Sequence, residues 1–165
     1  MNKKTILAFV LTALLGSAFV YAQTATSGSS GGTGSATGPS LQAGFHGLNL
    51  GMKMDDIKER LKGDLFFRYR GDADVSFLPK QPEVVIDCEG SFFIKRGLFQ
   101  FKNERLFTII LMMNTEKMDY YTIFTTLEKK YGSPKFLDPS RAIWESSEVR
   151  LALEKPLTVK YIDLP

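Results

Sequence analysis

The spacing of hydrophobic residues predicts a short helix near the start of the folded part. Met54, Ile57 and Leu61 recur at helical intervals, and most residues between them are charged. We therefore expect an amphipathic helix over about residues 53–62. Gly63 follows directly, at the position where a left-handed residue commonly ends a helix.

A longer helix is predicted where the chain reads NTEKMDYYTIFTTLEKKYGSP. One apolar stripe with helical spacing runs through this stretch: Tyr120, Phe124, Leu127 and Tyr131. Asn114 or Thr115 can cap its start through a side-chain oxygen. Gly132 and Pro134 are expected to end it.

Short runs of apolar, β-branched and aromatic residues predict strands in the rest of the chain. DLFFRYR alternates in the manner of one strand. VVID and SFFIK are expected to join through a Cys-Glu-Gly turn, and GLFQFK joins LFTIILMM through Asn103 and Glu104. LFTIILMM has little polar alternation, which is typical of a central strand covered on both faces. AIWES, VRLALE and LTVKYID are three further predicted strands.

The order of these elements, helix, strands, helix, strands, predicts an α+β fold. Hairpin-length connections favour antiparallel pairing. We expect one antiparallel sheet with two short helices on one face. Two degenerate helix-plus-hairpin repeats are one way to build it.

The beginning of the chain has the pattern of a secretory signal. Lys3 and Lys4 precede an uncharged apolar run, and small residues at Val20 and Ala22 predict cleavage after Ala22. The alternative is an uncleaved membrane anchor, for which the run is short. Residues 23–43 are almost entirely Gly, Ser, Thr and Ala, which predicts a flexible linker before a single α+β domain at 44–165. The expected location is the periplasm or the medium.

The charge of the chain favours no polyanionic partner. The whole chain carries 21 basic and 18 acidic residues, and removal of the signal peptide leaves a net charge of +1. We therefore expect no nucleic-acid binding, and membrane contact only through an uncleaved signal or a partner. The sequence predicts no cofactor, and the oligomeric state stays open.

Few residues offer catalytic chemistry. The chain has one Cys, Cys88, and one His, His46. A Cys88–His46 dyad is an alternative, but Cys88 lies within a strand pattern and is expected to be buried. Zinc needs about four ligands of this kind. No spacing in the sequence singles out two carboxylates as the pair that glycoside hydrolysis requires. We therefore predict a protein that is not an enzyme.

The stretch RYRGDADVSFLP holds the candidate binding residues: Arg70, Gly71, Asp72 and Asp74. Arg70-Gly71-Asp72 is the tripeptide that integrins recognise, so a surface adhesin is the alternative function. The two carboxylates fall short of the six to eight oxygens that calcium takes. A turn stabilised by local hydrogen bonds of Asp side chains is the simpler interpretation.

Two motifs resemble a known class of exported module. LGMKMDDIKERLKGD places Gly-Met before a short helix, and YYTIFTTLEKKYGSP closes a helix in Lys-Tyr-Gly-x-Pro before a Trp-bearing hairpin. Both resemble BamE/SmpA and β-lactamase-inhibitor-protein-like domains, and the layout over residues 47–163 resembles exported spirochaete proteins. The resemblance implies an α+β module of the bacterial cell envelope that binds another protein and carries no catalytic residues. No Cys follows the apolar run, unlike in lipid-modified members.

Adjacent aromatic residues suggest where a partner could bind. Phe66-Phe67 and Phe92-Phe93 would each place one ring on either side of a sheet. If the helices cover one side only, the other side is expected to carry an exposed aromatic surface. The alternative is that the segment 71–82 folds over that side.

Overall fold

The computed structural model describes residues 40–77 and 83–164, so the predicted signal peptide and most of the linker lie outside the described residues. Within these ranges the helices are α1 (Met54–Lys62) and α2 (Tyr120–Tyr131). The strands are β1 (Gly44–Phe45), β2 (Leu48–Asn49), β3 (Phe67–Arg68), β4 (Val75–Phe77), β5 (Glu83–Gly90), β6 (Ile94–Lys102), β7 (Arg105–Met113), β8 (Phe136–Leu137), β9 (Arg141–Glu145), β10 (Val149–Glu154) and β11 (Thr158–Asp163). Neither helix has the length and apolarity needed to span a bilayer.

Nine of the strands in the described part of the chain form one antiparallel sheet in the order β3-β5-β6-β7-β11-β10-β9-β8, with β4 also paired to β5. β3 and β4 run along the same edge of β5, and a 3₁₀ turn at Gly71–Asp74 separates them. In each half of the chain a helix precedes antiparallel strands, β3 to β7 after α1 and β8 to β11 after α2, and the halves join where β7 pairs with β11. The predicted α+β class, with antiparallel pairing, is therefore confirmed.

One face of the sheet carries the hydrophobic core. A row of side chains at most 3% exposed crosses six strands: Ile86, Phe99, Ile109, Tyr161, Leu151 and Trp144. Ile57 and Leu61 of α1 are buried in the same cluster as Ile123 and Leu127 of α2. Both helices therefore lie on this face. Each fully buried aliphatic or aromatic side chain contributes about 1.5–3 kcal/mol to folding.

The ends of the helices differ from the prediction. Gly63 has φ −105°, so α1 ends without a left-handed residue. Asp119, and neither Asn114 nor Thr115, caps α2: its carboxylate accepts hydrogen bonds from the backbone N–H and the hydroxyl of Thr122. These bonds, the hydroxyl first, lower the pKa of Asp119.

The predicted strand over DLFFRYR is wrong in its extent. Only Phe67 and Arg68 pair with β5. Phe66 and Phe67 are both buried, whereas Leu65 is 71% exposed. The chain turns here because the Asp64 carboxylate accepts a hydrogen bond of 2.7 Å from the Phe66 backbone N–H, which breaks the alternation of faces.

Of the two turns predicted between β5 and β7, the first is wrong and the second is confirmed. β5 continues through Cys88 to Gly90, so the predicted Cys-Glu-Gly turn is wrong and the turn lies at residues 91–93. The predicted turn at Asn103 and Glu104 is confirmed. Both residues have positive φ, 49° and 61°, as the two central residues of a type I′ hairpin require.

Candidate functional site: a groove between α2 and β8

The predicted binding residues lie on the 3₁₀ turn at the β3–β4 edge. The Arg70 guanidinium donates hydrogen bonds of 2.9 and 2.6 Å to Oδ1 of Asp74, and the Arg70 backbone N–H donates one of 2.8 Å to Oδ2. Asp74 is 3% exposed. Gly71 has φ +85° and begins the turn, and Asp72 is exposed. The structure thus joins Arg70 to Asp74 rather than to Asp72.

The residues considered for catalysis lie in different surroundings. Cys88 points into the core, and burial raises the pKa of its thiol to about 12. His46 lies in the β1–β2 turn, where its Nδ1 is 2.8 Å from Oδ2 of Asp64. Across residues 40–77 and 83–164, no group of three or more His, Cys, Asp or Glu side chains could hold a metal ion.

The expected aromatic surface on the second face of the sheet is absent from the described strands. Phe66 and Phe67 both belong to the core, as does Phe93, which is 1% exposed. Phe92 is 46% exposed but lies in the β5–β6 turn with φ +58°. Part of the segment expected to cover this face, residues 75–77, instead forms β4, and residues 78–82 lie outside the described residues.

The second face instead alternates aliphatic side chains with ion pairs. Leu98 pairs across the strands with Ile110, which is half-buried, and Met112 is 39% exposed. The prediction that β7 is covered on both faces is therefore wrong. The ion pairs on this face include Arg96–Asp87, Arg150–Glu145 and Lys160–Glu154. Such a surface is suited to solvent, because it mixes charges of both signs that pair with one another.

An apolar groove of about 510 Å³ lies between the start of α2 and the edge strand β8. Its main lining residues are Tyr120, Tyr121, Phe124, Leu137, Asp138 and Lys155. It lies at the opposite edge of the sheet from the 3₁₀ turn that carries the predicted binding residues.

The first turns of α2 form one wall of the groove. The rings of Tyr120 and Phe124 stack with centroids 6.4 Å apart, and the Tyr120 hydroxyl donates a hydrogen bond of 3.3 Å to the Leu153 carbonyl. Tyr121 lies one residue off this apolar stripe and is 74% exposed. Helical geometry thus fixes Tyr120 against the sheet and leaves the Tyr121 ring to solvent.

The β8–β9 turn forms the other wall. The Asp138 carboxylate accepts four hydrogen bonds, from the backbone N–H and hydroxyl of Ser140 and from the backbone N–H and Nε of Arg141. The bonds from Ser140 are the first cause of a pKa of about 2 for Asp138. This turn holds Leu137 opposite Ala142 of the core face, with the Leu137 side chain 59% exposed.

Trp144 anchors α2 beside the groove. Its indole Nε1 donates a hydrogen bond of 2.7 Å to the carbonyl of Gly132, the residue that ends α2. Its ring also packs against Phe124, with centroids 5.9 Å apart. The helix and the sheet are therefore joined directly behind the groove.

Lys155 brings a positive charge to the groove. Its Nζ lies 5.6 Å from the centroid of the Tyr120 ring, and its backbone N–H donates a hydrogen bond of 2.8 Å to the Ser140 carbonyl. Within the described part of the chain, no carboxylate forms an ion pair with this ammonium group.

The sequence held a signal for the groove. In Tyr120-Tyr121 only one of two adjacent rings can join a helical stripe, so the other is expected to be exposed. Phe136-Leu137 likewise places two adjacent apolar residues in a strand of two residues, so one of them must face away from the core. Neither pair was identified as a site from the sequence.

The model of one protein family, described as the TP0088 domain, matches residues 43–165 of this chain. The spirochaete origin of that designation agrees with the predicted likeness to spirochaete proteins. No curated protein and no solved structure matches the chain.

Proposed function

The chain belongs to the TP0088 domain family, and we propose that it is a non-catalytic module that binds another protein in the bacterial cell envelope. The envelope location rests on the basic and apolar residues at the start of the chain and on the resemblance to exported modules. The groove between α2 and β8 is the surface we assign to the partner.

The observation that carries the proposal is the exposure of large side chains on both walls of the groove. Tyr121 is 74% exposed and Leu137 59% exposed, and the stacked rings of Tyr120 and Phe124 line the groove with them. Exposed aromatic side chains contribute much of the binding energy of protein interfaces, where tyrosine is enriched.

The titratable groups of the fold support a role without catalysis. The Cys88 thiol is buried with a raised pKa, so it is protonated near neutral pH and is a poor nucleophile. The Asp138 carboxylate at the groove is already engaged by Ser140 and Arg141. Its low pKa makes it a weak general base.

Site-specific photo-crosslinking in the cells that produce the chain tests the proposal. A photoreactive phenylalanine analogue replaces Tyr121 in the groove or, as a matched control, Met112 on the second face. Both positions are exposed, so the two variants differ in the surface that they sample.

We expect illumination of the Tyr121 variant to give a covalent adduct of defined mass with another protein, and the Met112 variant to give none. Adducts of the same mass from both positions, or none from either, contradict the proposal. Mass spectrometry of the adduct identifies the partner.

A further inference from the structure

We propose that the groove takes an extended segment of the partner that adds to the sheet beside β8 and carries an acidic group that meets Lys155. This inference rests on the proposed protein-binding function. It assigns the backbone conformation and the charge of the bound segment.

Among the described residues, no strand pairs with the outer side of β8. The Asp138 N–H donates a hydrogen bond of 2.9 Å to the Arg141 carbonyl, so this pair bonds across the β8–β9 hairpin. Hydrogen-bonded and non-bonded pairs alternate along antiparallel strands. The pair Leu137–Ala142 is therefore non-bonded, and the N–H and C=O of Leu137 point away from β9. An added strand can bond to both groups.

The side chains beside this edge suit an extended segment. An added strand lies about 4.8 Å from β8, and every second side chain faces the helix side of the sheet. On that side the groove presents Leu137 from β8 and Tyr121 and Phe124 from α2. One or two apolar side chains at alternate positions of the segment would be buried between these walls.

The charges around the groove select an acidic partner group. Asp138 is balanced by Arg141, whose guanidinium bonds to its carboxylate. Lys155 contacts the Tyr120 ring but forms no ion pair among the described residues, which leaves one uncompensated positive charge. A Glu or Asp side chain, or a terminal carboxylate, complements it without displacing an existing pair.

A displayed library of peptides of about seven residues, panned on the purified chain, tests the inference, since about five to six residues make a typical strand. Fluorescence polarisation then measures the affinity of a selected peptide. Three changes are compared: acid to amide in the peptide, N-methylation of alternate peptide amides, and Lys155→Gln in the chain. Lys95→Gln is the matched control, because Lys95 is an exposed lysine on β6, five strands from β8.

We expect selected peptides to alternate apolar and polar residues and to carry an acid. Acid-to-amide substitution and Lys155→Gln should each weaken binding roughly twofold to fivefold, as for an exposed ion pair, and their effects should not add. N-methylation in one of the two alternating registers should abolish binding, because it removes the N–H that donates to the Leu137 carbonyl and places a methyl group against β8. Lys95→Gln should leave the affinity unchanged.

The inference is overturned if no peptide is selected, if the acid can be removed without effect, or if N-methylation in both registers is tolerated. Crosslinks at Tyr121 combined with any of these results would leave the protein-binding function standing. Loss of the crosslinks as well would remove both. A purified chain that sediments as a dimer, and as a monomer after Tyr121→Glu, would assign the groove to a second copy and also overturn the inference.

Discussion

The guanidinium of Arg70 donates two hydrogen bonds to a single carboxylate oxygen of Asp74, whose side chain is fully buried. The second oxygen of Asp74 accepts the backbone N–H of Arg70. This arrangement closes the 3₁₀ turn that interrupts the sheet edge between β3 and β4. The Arg-Gly-Asp stretch therefore has a structural role in which Arg70 and Asp74, not Asp72, are partners.

Asp74→Ala should destabilise the fold, because it leaves the Arg70 backbone N–H without its acceptor. The expected fall in the free energy of unfolding is about 1–3 kcal/mol. Asp72→Ala, at an exposed position of the same turn, should change it by less than about 0.5 kcal/mol. Urea denaturation followed by circular dichroism measures both. Equal stabilities of the two variants would show that the buried carboxylate contributes nothing.

Asp72→Glu should leave adhesion of the chain to host cells unchanged. Integrin-type recognition requires the arginine and the aspartate of the tripeptide together, and the Arg70 guanidinium is already bound to Asp74. Adhesion of cells to surfaces coated with the native or variant chain provides the comparison. A clear loss of adhesion with Asp72→Glu would restore the adhesin alternative.

Cys88 should resist alkylation in the folded chain. With a pKa of about 12, on the order of one thiol in ten thousand is ionised near pH 8, and the side chain is buried. Iodoacetamide labelling measured by mass spectrometry should be slow without urea and fast above the unfolding midpoint. Rapid labelling of the native chain would show that β5 exposes its core face.

The raised pKa of Cys88 also predicts the direction of a pH effect. The folded state holds the thiol proton more tightly than the unfolded state, whose pKa is near 9.0. The corresponding stability is present below about pH 9 and is lost as the pH rises toward 12. The free energy of unfolding should therefore fall less for Cys88→Ala than for the native chain between about pH 8 and pH 10.

Local pattern predicted the second half of the sheet well. VRLALE forms β10, and LTVKYID forms β11 from its threonine onward. Turn-forming residues between these runs indicate where one strand ends and the next begins. The start of α2 was not predictable in the same way. Asn114 and Asp119 offer the same capping chemistry, and the choice depends on Met118, which is 6% exposed and ends a separate turn that bonds back to Asn114.

The error at Phe66 and Phe67 has a non-local cause in addition to the local hydrogen bond from Phe66 to Asp64. Regular pleating would place the two rings on opposite faces. The Phe67 ring instead packs over Gly97, where a Cβ would come within 2.5 Å of it. A glycine on β6 thus makes room for a ring from β3, which the sequence of either segment alone does not indicate. The groove was missed for a similar reason, since it depends on the distance between α2 and β8.

Asp138 should titrate with a pKa of about 2, because it accepts hydrogen bonds from the hydroxyl and the backbone N–H of Ser140. Its lowered pKa contributes stability that is present above about pH 4 and is lost as the pH falls toward 2. Ser140→Ala removes the hydroxyl and should raise the pKa measured by NMR titration. The pKa of Asp119, whose partner is Thr122, should not move in this variant. An unchanged Asp138 pKa would show that the hydroxyl does not hold the β8–β9 turn.

Trp144→Phe should loosen the end of α2. The substitution keeps an aromatic ring against Phe124 but removes the indole N–H that bonds to the Gly132 carbonyl. The free energy of unfolding is expected to fall by about 0.5–1.5 kcal/mol for the lost hydrogen bond. Circular dichroism is the measurement, because the chain has 1 Trp and the variant therefore lacks tryptophan fluorescence. Backbone hydrogen exchange supplies the local test. Amides in the last turn of α2 should exchange faster, whereas the exchange of α1 amides should accelerate only by the amount that the lower global free energy of unfolding explains. Acceleration that is the same in both helices would show that Trp144 acts only through general packing.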